Sequence, residues 1–320
     1  MHPKHARYQA APHPVASERR RPSETVAPGG RREGRGIDRA RATTGPYDAR
    51  VASGGEPVLD ALDDVWSSIV EATDGIGEAD WDLPTDCPGW SVRDHLSHLV
   101  GMERTLLGDP QPLAPATRGA HVRNDIGAMN EAWVEQGRGR PGEEVLAEWR
   151  VVVDRRLEAL RALGPEEWER IGPSPIGRVP YRRFMWLRVM DSWVHEQDMR
   201  SALGRPGGLG GPGQRHTIEH VACLMPYVVG RKVRPPDGTT VVWEIEGSPR
   251  RTVTVCVEGG RGSLLDEVPS EPTVVLRLDE ATFWRLGCGR TPPPEGAGVV
   301  SAEGPPELAH RVLTEMNFMI

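Results

Sequence analysis

The chain has 320 residues, of which 38% are hydrophobic and 27% charged, enough for one large globular domain or two modest ones. It contains no run of about 18 apolar residues and no apolar segment near its start, so neither a membrane span nor a secretory signal is predicted. The net charge of −7 is unevenly spread: residues 1–50 carry 11 Lys/Arg against 5 Asp/Glu, and the remainder carries 28 against 41. An acidic folded part argues against nucleic acid as its ligand.

The first 52 residues differ in composition from the rest of the chain. Residues 1–50 mix Arg, Pro, Gly and Ser without apolar periodicity. Such a segment cannot bury enough surface to offset its ordering entropy, so residues 1–52 are predicted to form a disordered basic tail. A basic arm that touches nucleic acid or a membrane is the less favoured alternative.

The cysteines indicate the compartment. Cys87, Cys223, Cys256 and Cys288 lie too far apart for a closely spaced metal-binding pair, and they are too few for a disulfide scaffold. Four free thiols in a reducing environment are therefore expected. Together with the missing signal, this predicts a cytoplasmic protein.

From residue 56 the apolar residues recur at three- and four-residue spacing, which is one face of a helix. The first predicted helix contains Val58 to Ile69. The second follows Ser91, a predicted N-cap whose capping box is completed by Asp94. Trp90, which precedes this cap, is expected to be a core aromatic, as are two later tryptophans, Trp133 and Trp193. Further helices are predicted over residues 121–136, 143–163, 180–203 and 215–231.

The period changes to two after residue 238, where strands are predicted over residues 239–245, 252–257 and 273–278. Short helices are expected over 281–286 and 306–316. The predicted fold class is therefore α plus α+β: a helical bundle over residues 53–232, followed by a small α+β domain over residues 237–320.

The helix predicted over residues 180–203 carries polar residues on its apolar stripe. Asp191 and His195 are four residues apart, so both project from one side of the helix. Buried polar groups need partners, and this spacing is one that metalloprotease helices use for two zinc ligands. The alternative is a salt bridge or a satisfied core pair. Asp198, one turn further on, either orients His195 or is a solvated charge at the helix end.

The second predicted helix offers a third candidate ligand, His98, which precedes an apolar pair. Two histidines, one aspartate and an open position would make a catalytic zinc site rather than a closed structural one. Asp94, one turn before His98, could orient its ring as a hydrogen-bond acceptor. His95 is expected to be a partly exposed histidine on the helix surface.

Two segments resemble a known family. Residues 81–99, WDLPTDCPGWSVRDHLSHL, look like the opening signature of mycothiol-dependent maleylpyruvate isomerase-like proteins, and residues 187–200, LRVMDSWVHEQDMR, resemble their second signature. The C-terminal part of the chain around Phe283, Leu286 and Arg290 is similar to the family's sterol-carrier-protein-like C-terminal domain. The resemblance covers roughly residues 56–318 and implies a DinB-like four-helix bundle.

The resemblance also implies a divalent metal, usually zinc, held by His98, Asp191 and His195. The family's acid is typically Glu, and this chain has the shorter Asp191. The implied cosubstrate is mycothiol, the low-molecular-weight thiol of actinobacteria. An open metal position would bind this thiol as thiolate, which attacks a small-molecule electrophile. The reaction would be an isomerisation or an S-transfer.

Two further residues complete the predicted site. Arg290 is the candidate catalytic arginine, because a guanidinium can bind a substrate carboxylate through two parallel bonds; the alternative is a surface arginine beside a proline loop. Cys87 is expected to be a packing residue. The competing function is a non-catalytic metal-binding module with a regulatory or ligand-binding role. A monomer is expected.

Overall fold

The computed structural model describes residues 56–113, 119–292 and 301–319. The tail predicted over residues 1–52 lies outside the described residues. From Pro57 onward the chain forms one compact unit. Within the described ranges, no helix is both long enough and apolar enough to cross a bilayer. The four cysteines are free thiols, as their spacing predicted.

The first part of the unit is helical. Its helices are α1 (Pro57–Thr73), α2 (Val92–Leu106), α3 (Asp125–Gly137), α4 (Gly142–Arg161), α5 (Pro165–Trp168), α6 (Tyr181–Leu203) and α7 (Pro212–Tyr227). The third helix begins four residues later than predicted because Asn124 caps it: its side chain accepts a hydrogen bond from Gly127 N at 2.8 Å. A π-helical turn, Val228–Val233, continues α7.

Helix α2 begins at the predicted capping box. The Ser91 side chain accepts a hydrogen bond from the Asp94 backbone N–H at 3.3 Å, and the Asp94 carboxylate accepts one from the Ser91 N–H at 3.0 Å. Both bonds satisfy backbone donors that a helix start leaves unpaired. The cap therefore fixes where α2 starts, and with it the rotation of every side chain on that helix.

Helix α6 is buried on nearly all sides rather than along one stripe. Its neighbours α1, α2 and α7 pack around it, and its buried residues include both apolar and charged side chains. The helix ends at Gly204, whose φ of 62° is the left-handed conformation that glycine adopts at least cost. A helix enclosed in this way must pair its polar side chains internally.

A short antiparallel hairpin, which the sequence did not predict, precedes α6. Strand β1 (Ile171–Ser174) pairs with β2 (Gly177–Pro180). The Ser174 hydroxyl donates a hydrogen bond to the Gly177 carbonyl at 2.7 Å and closes the turn. The hairpin leads directly into the first residue of α6.

The second part contains a five-stranded mixed sheet in the order β5-β4-β3-β6-β7. Strands β3 and β6 are parallel, and the other neighbours are antiparallel. The three predicted strands are present, and two short edge strands are added to them. The elements are β3 (Thr240–Glu246), β4 (Arg251–Glu258), β5 (Arg261–Leu265), β6 (Val274–Asp279), α8 (Glu280–Gly287), β7 (Ser301–Glu303) and α9 (Pro306–Glu315). This confirms the predicted α plus α+β fold class.

Helix α8 joins the sheet part to the helical part. The Trp284 ring packs edge-on against Trp193 of α6, with ring centroids 5.1 Å apart. Arg285 donates a hydrogen bond to the Asp86 carboxylate at 2.5 Å, in the loop that precedes α2. These contacts bring the end of α8 beside α2 and α6.

Candidate metal centre

Three predicted ligands meet between α2 and α6. His98 Nε2 lies 3.3 Å from Asp191 Oδ2, and His195 Nε2 lies 3.6 Å from Asp191 Oδ1. One donor atom from each residue can be chosen so that all lie within 4.8 Å of one another. The capping box sets the rotation of α2 that brings His98 to α6, where Asp191 and His195 share one side because they are four residues apart.

The chemistry of these donors fits a divalent metal. Burial lowers the pKa of His98 to about 4, so its imidazole is neutral and keeps a lone pair for a ligand bond. Burial alone would raise the pKa of Asp191, but the charges of Arg188 and His195 hold it well below its usual range. Asp191 and Asp198 raise the pKa of His195 despite its burial, so His195 would release a proton when it binds a metal. Two imidazoles and one carboxylate are a donor set that zinc and related ions accept.

A buried charge network supports Asp191. The Arg188 guanidinium donates one hydrogen bond to Asp191 Oδ2 at 2.5 Å and another to Glu103 Oε1 at 2.8 Å. Glu103 is fully buried, and its other oxygen accepts a bond from Arg156 at 2.8 Å. Arg188 therefore fixes the orientation of the short Asp191 side chain and leaves Oδ1 facing His195.

His95 is buried, so the prediction of a partly exposed surface histidine is wrong. Its Nδ1 lies 2.8 Å from His195 Nδ1, and its Nε2 lies 2.7 Å from the Thr85 hydroxyl. His95, His195 and Asp198 form a second group with donor atoms within 4.8 Å. Thr85 already bonds His95 Nε2 and Arg290 already bonds the Asp198 carboxylate, so the first group is the better candidate for a metal site.

Asp198 is buried and faces His195, which rules out a solvated charge at the helix end. Its Oδ2 lies 3.4 Å from His195 Nδ1. Arg290 donates to the same carboxylate from Nε at 2.9 and 3.0 Å and from Nη2 at 2.8 Å. Burial would raise the pKa of Asp198, but the His195 bond and the Arg290 charge hold it well below its usual range.

Arg290 lies beside the site but is held by Asp198. Its remaining Nη1 donates to the Cys288 carbonyl at 3.0 Å, and its side chain is 7% exposed. It is therefore not a surface arginine. The carboxylate that its guanidinium binds is that of Asp198, and this carboxylate in turn faces His195.

Asp94 does not orient His98, contrary to the expectation. Its carboxylate is taken up by the capping box and by Arg138, which donates to Oδ1 and Oδ2 at 3.2 Å each. His98 Nδ1 is buried and has no hydrogen-bond partner among the described residues. The two candidate histidine ligands thus differ. His195 Nδ1 has His95 and Asp198 as neighbours, whereas His98 Nδ1 has no hydrogen-bond partner in the part of the chain that the structure describes.

Trp90 covers the histidines instead of joining the bundle core, so its predicted role is wrong. Its ring centroid lies 5.1 Å from that of His98, 5.4 Å from that of His95 and 5.7 Å from that of His195. Its indole N–H donates to Glu131 at 3.0 Å, which holds the ring in place. The other two predicted core tryptophans are buried as expected: Trp133 and Trp193.

Cys87 lies in the loop beside Trp90 and is partly buried. Burial raises the pKa of its thiol to about 11. The thiol stays protonated near neutral pH, and the thiolate is the nucleophilic form of cysteine. Cys87 is thus not an activated nucleophile.

The fold and the donor set define a helical bundle with a candidate metal site, joined to an α+β part. The family model described as the mycothiol maleylpyruvate isomerase N-terminal domain matches residues 62–200. The model of the corresponding C-terminal domain matches residues 215–311. Because the two together match well over half of the sequence, the chain belongs to the mycothiol-dependent maleylpyruvate isomerase-like family.

Sequence matches to individual proteins cover less of the chain than the family models do. An uncharacterized protein of Mycobacterium tuberculosis strain H37Rv is 30% identical over 130 residues, which are 39% of this chain and 48% of the relative. The same figures hold for its counterpart in strain CDC 1551 / Oshkosh. The aligned region of this chain spans about half the length of these curated relatives.

Two crystal structures of the mycothiol-dependent maleylpyruvate isomerase are similar to this chain. One shares 17% identity with a TM-score of 0.48, and a variant of the same enzyme shares 16% identity with a TM-score of 0.49. Each comparison covers 77% of this chain and 92% of the other.

Proposed function

We propose that the protein is a metal-dependent, mycothiol-using enzyme, an isomerase or S-transferase acting on a small electrophile. The observation that carries this proposal is the convergence of donor atoms from His98, Asp191 and His195 within 4.8 Å. The Asp191 side chain is 23% exposed, so the group is open on one side. Family membership supports mycothiol as the thiol.

His98, Asp191 and His195 would hold the metal, most simply Zn²⁺. A divalent ion bound there would supply a Lewis acid that lowers the pKa of a thiol at the open position. Arg188 fixes the Asp191 carboxylate. Trp90 shields the imidazole rings from solvent on one face, which strengthens electrostatic interactions inside the site.

Arg290 remains our candidate for the arginine that acts in the reaction. In the structure its guanidinium binds Asp198, so a substrate carboxylate would have to bind the same guanidinium beside Asp198. An anionic electrophile is the substrate class that Arg290 suits, because a guanidinium has five N–H donors and can bind a second carboxylate while it keeps Asp198 paired.

Metal content measured by mass spectrometry tests the site directly. We expect close to stoichiometric metal in purified wild type and its loss in His195→Ala. His310→Ala is the matched control, because His310 is an exposed histidine outside the site. A well-folded wild type that binds no added Zn²⁺ would contradict the proposal.

Turnover separates the proposed enzyme from a non-catalytic metal-binding module. Maleylpyruvate with mycothiol should be converted to the trans isomer, or another electrophile to a stable S-conjugate, only when both thiol and metal are present. Stoichiometric metal without thiol-dependent turnover on a panel of small electrophiles would favour the binding module.

A further inference from the structure

A series of hydrogen bonds runs from the loop before α2 to His195 Nδ1, the ring nitrogen that faces away from Asp191. The Thr85 hydroxyl lies 3.1 Å from the Trp90 carbonyl and 2.7 Å from His95 Nε2. His95 Nδ1 lies 2.8 Å from His195 Nδ1. Every contact in this series joins two heavy atoms that need one proton between them, so the positions of the protons are coupled.

The direction of the series follows from its first group. The Trp90 carbonyl can only accept: one lone pair takes the Thr85 backbone N–H at 3.2 Å, and the other takes the single hydroxyl proton of Thr85 at 3.1 Å. The Thr85 oxygen then presents lone pairs, one of which already accepts the Cys87 backbone N–H at 3.2 Å. His95 must therefore donate from Nε2, and its neutral ring keeps a lone pair on Nδ1.

That lone pair determines the proton on His195. Because His95 Nδ1 accepts, His195 Nδ1 has to carry the hydrogen that joins the two rings. Carboxylates lie on both sides of the ring: Asp198 Oδ2 is 3.4 Å from Nδ1 and Asp191 Oδ1 is 3.6 Å from Nε2. The shorter Asp198 contact favours the same proton on Nδ1 as His95 does. With its proton on Nδ1, His195 has its free lone pair on Nε2, the atom that faces Asp191.

We propose that Thr85 and His95 are positioning residues that set the tautomer of His195, so that Nε2 is available as a ligand atom. The proposal rests on the metal site proposed above for its use, but the tautomer is a property of the metal-free chain. It gives a role to His95, which is not one of the three proposed metal ligands. In this proposal the Thr85 hydroxyl, 10 residues before His95 in the chain, is the group that sets the proton positions on both histidines.

Nitrogen-15 NMR of histidine-labelled, metal-free protein at pH 8 tests the tautomers directly. His95→Gln and His195→Gln spectra assign the signals. We expect His95 to carry its proton on Nε2 and His195 on Nδ1. In Thr85→Val, which keeps the shape but has no hydroxyl, the His95 tautomer should lose its preference, and Thr85→Ser should restore it. A wild-type His95 protonated on Nδ1 would overturn the proposal.

Cobalt titration tests the consequence for binding. Loss of a residue that orients a metal-binding histidine through hydrogen bonds typically weakens metal binding about 10–100-fold. We expect the Co²⁺ dissociation constant of Thr85→Val to rise by about that factor, with Thr85→Ser close to wild type. Equal affinity in Thr85→Val and wild type would overturn the proposed role. Failure of the wild type to bind Co²⁺ would instead contradict the proposed function, and the NMR spectra would still decide the tautomer.

Discussion

Arg290 and Asp198 are 92 residues apart in the chain, yet the guanidinium donates three hydrogen bonds to the carboxylate at 2.8–3.0 Å. Both side chains are almost fully buried, at 7% and 0% exposure. Asp198 in turn faces His195. A residue just after α8 thereby determines the electrostatic environment of a candidate ligand on α6.

Replacing Arg290 should be costly because it leaves the buried Asp198 charge without its cation. We expect Arg290→Ala to lose about 3–5 kcal/mol of unfolding free energy in urea. Arg285→Ala is the matched control: its ion pair with Asp86 is partly exposed, so its loss should cost about 0–1 kcal/mol. If the pairing is the cause, Asp198→Asn added to Arg290→Ala should recover part of the stability. Equal losses for the two arginines would contradict this interpretation.

Arg188 should matter for both stability and metal binding. Arg188→Met removes one cation from the buried Glu103 and frees the Asp191 carboxylate. We expect a loss of about 3–5 kcal/mol in urea unfolding and a Zn²⁺ dissociation constant raised about 10–100-fold.

Two variants make the Arg188 measurement specific. Arg188→Lys retains the charge but not the planar fork, so it should regain stability more fully than metal affinity. Arg161→Met is the surface control, because Arg161 is 58% exposed in its pair with Asp63. Metal affinity unchanged in Arg188→Met would show that Arg188 does not orient Asp191.

Two histidines outside the site should make the protein acid-sensitive. Burial, with a smaller effect of the neighbouring His220, lowers the pKa of His216 to about 3, and burial and the Arg183 charge lower the pKa of His220 to about 4. Both stay neutral in the folded chain while the unfolded chain takes up protons below about pH 6.5. Their contribution to stability is thus full above pH 6.5 and is lost as the pH falls towards these folded values.

The size of the effect can be isolated with one variant. Each histidine should lose about 2 kcal/mol between pH 7 and pH 5. Urea unfolding of His216→Gln should therefore show a pH-dependent loss smaller than wild type by about that amount. His310→Gln, which alters an exposed side chain, should retain the wild-type loss. An identical pH dependence in His216→Gln and wild type would show that His216 is not held neutral.

The features that the sequence predicted well are set by neighbours in the chain. The capping box of Ser91 and Asp94 and the four-residue spacing of Asp191 and His195 depend on helix geometry alone. The fold class followed from the change of period near residue 238. Asp94 shows the limit of such reasoning: it has the right spacing to serve His98, but the capping box and Arg138 already use its oxygens.

The features that the sequence missed depend on tertiary packing. His95 is on a face of α2 that would be exposed in an isolated amphipathic helix, but α6 and the Trp90 loop cover it. The β1–β2 hairpin reads as a helix breaker because Pro173 and Pro175 dominate its sequence. The Arg290 partner could not be predicted, since no local pattern relates α8 to the end of α6.

The Asp198–Arg290 pair also constrains how this chain can recombine with its relatives. A crossover in the Gly-rich segment 204–211 would take Asp198 from one parent and Arg290 from the other. A parent lacking either residue would leave a lone charge inside the chimera. The two matched segments of this chain must therefore be inherited as a compatible set, and natural or designed exchanges between relatives should keep both residues or replace both together.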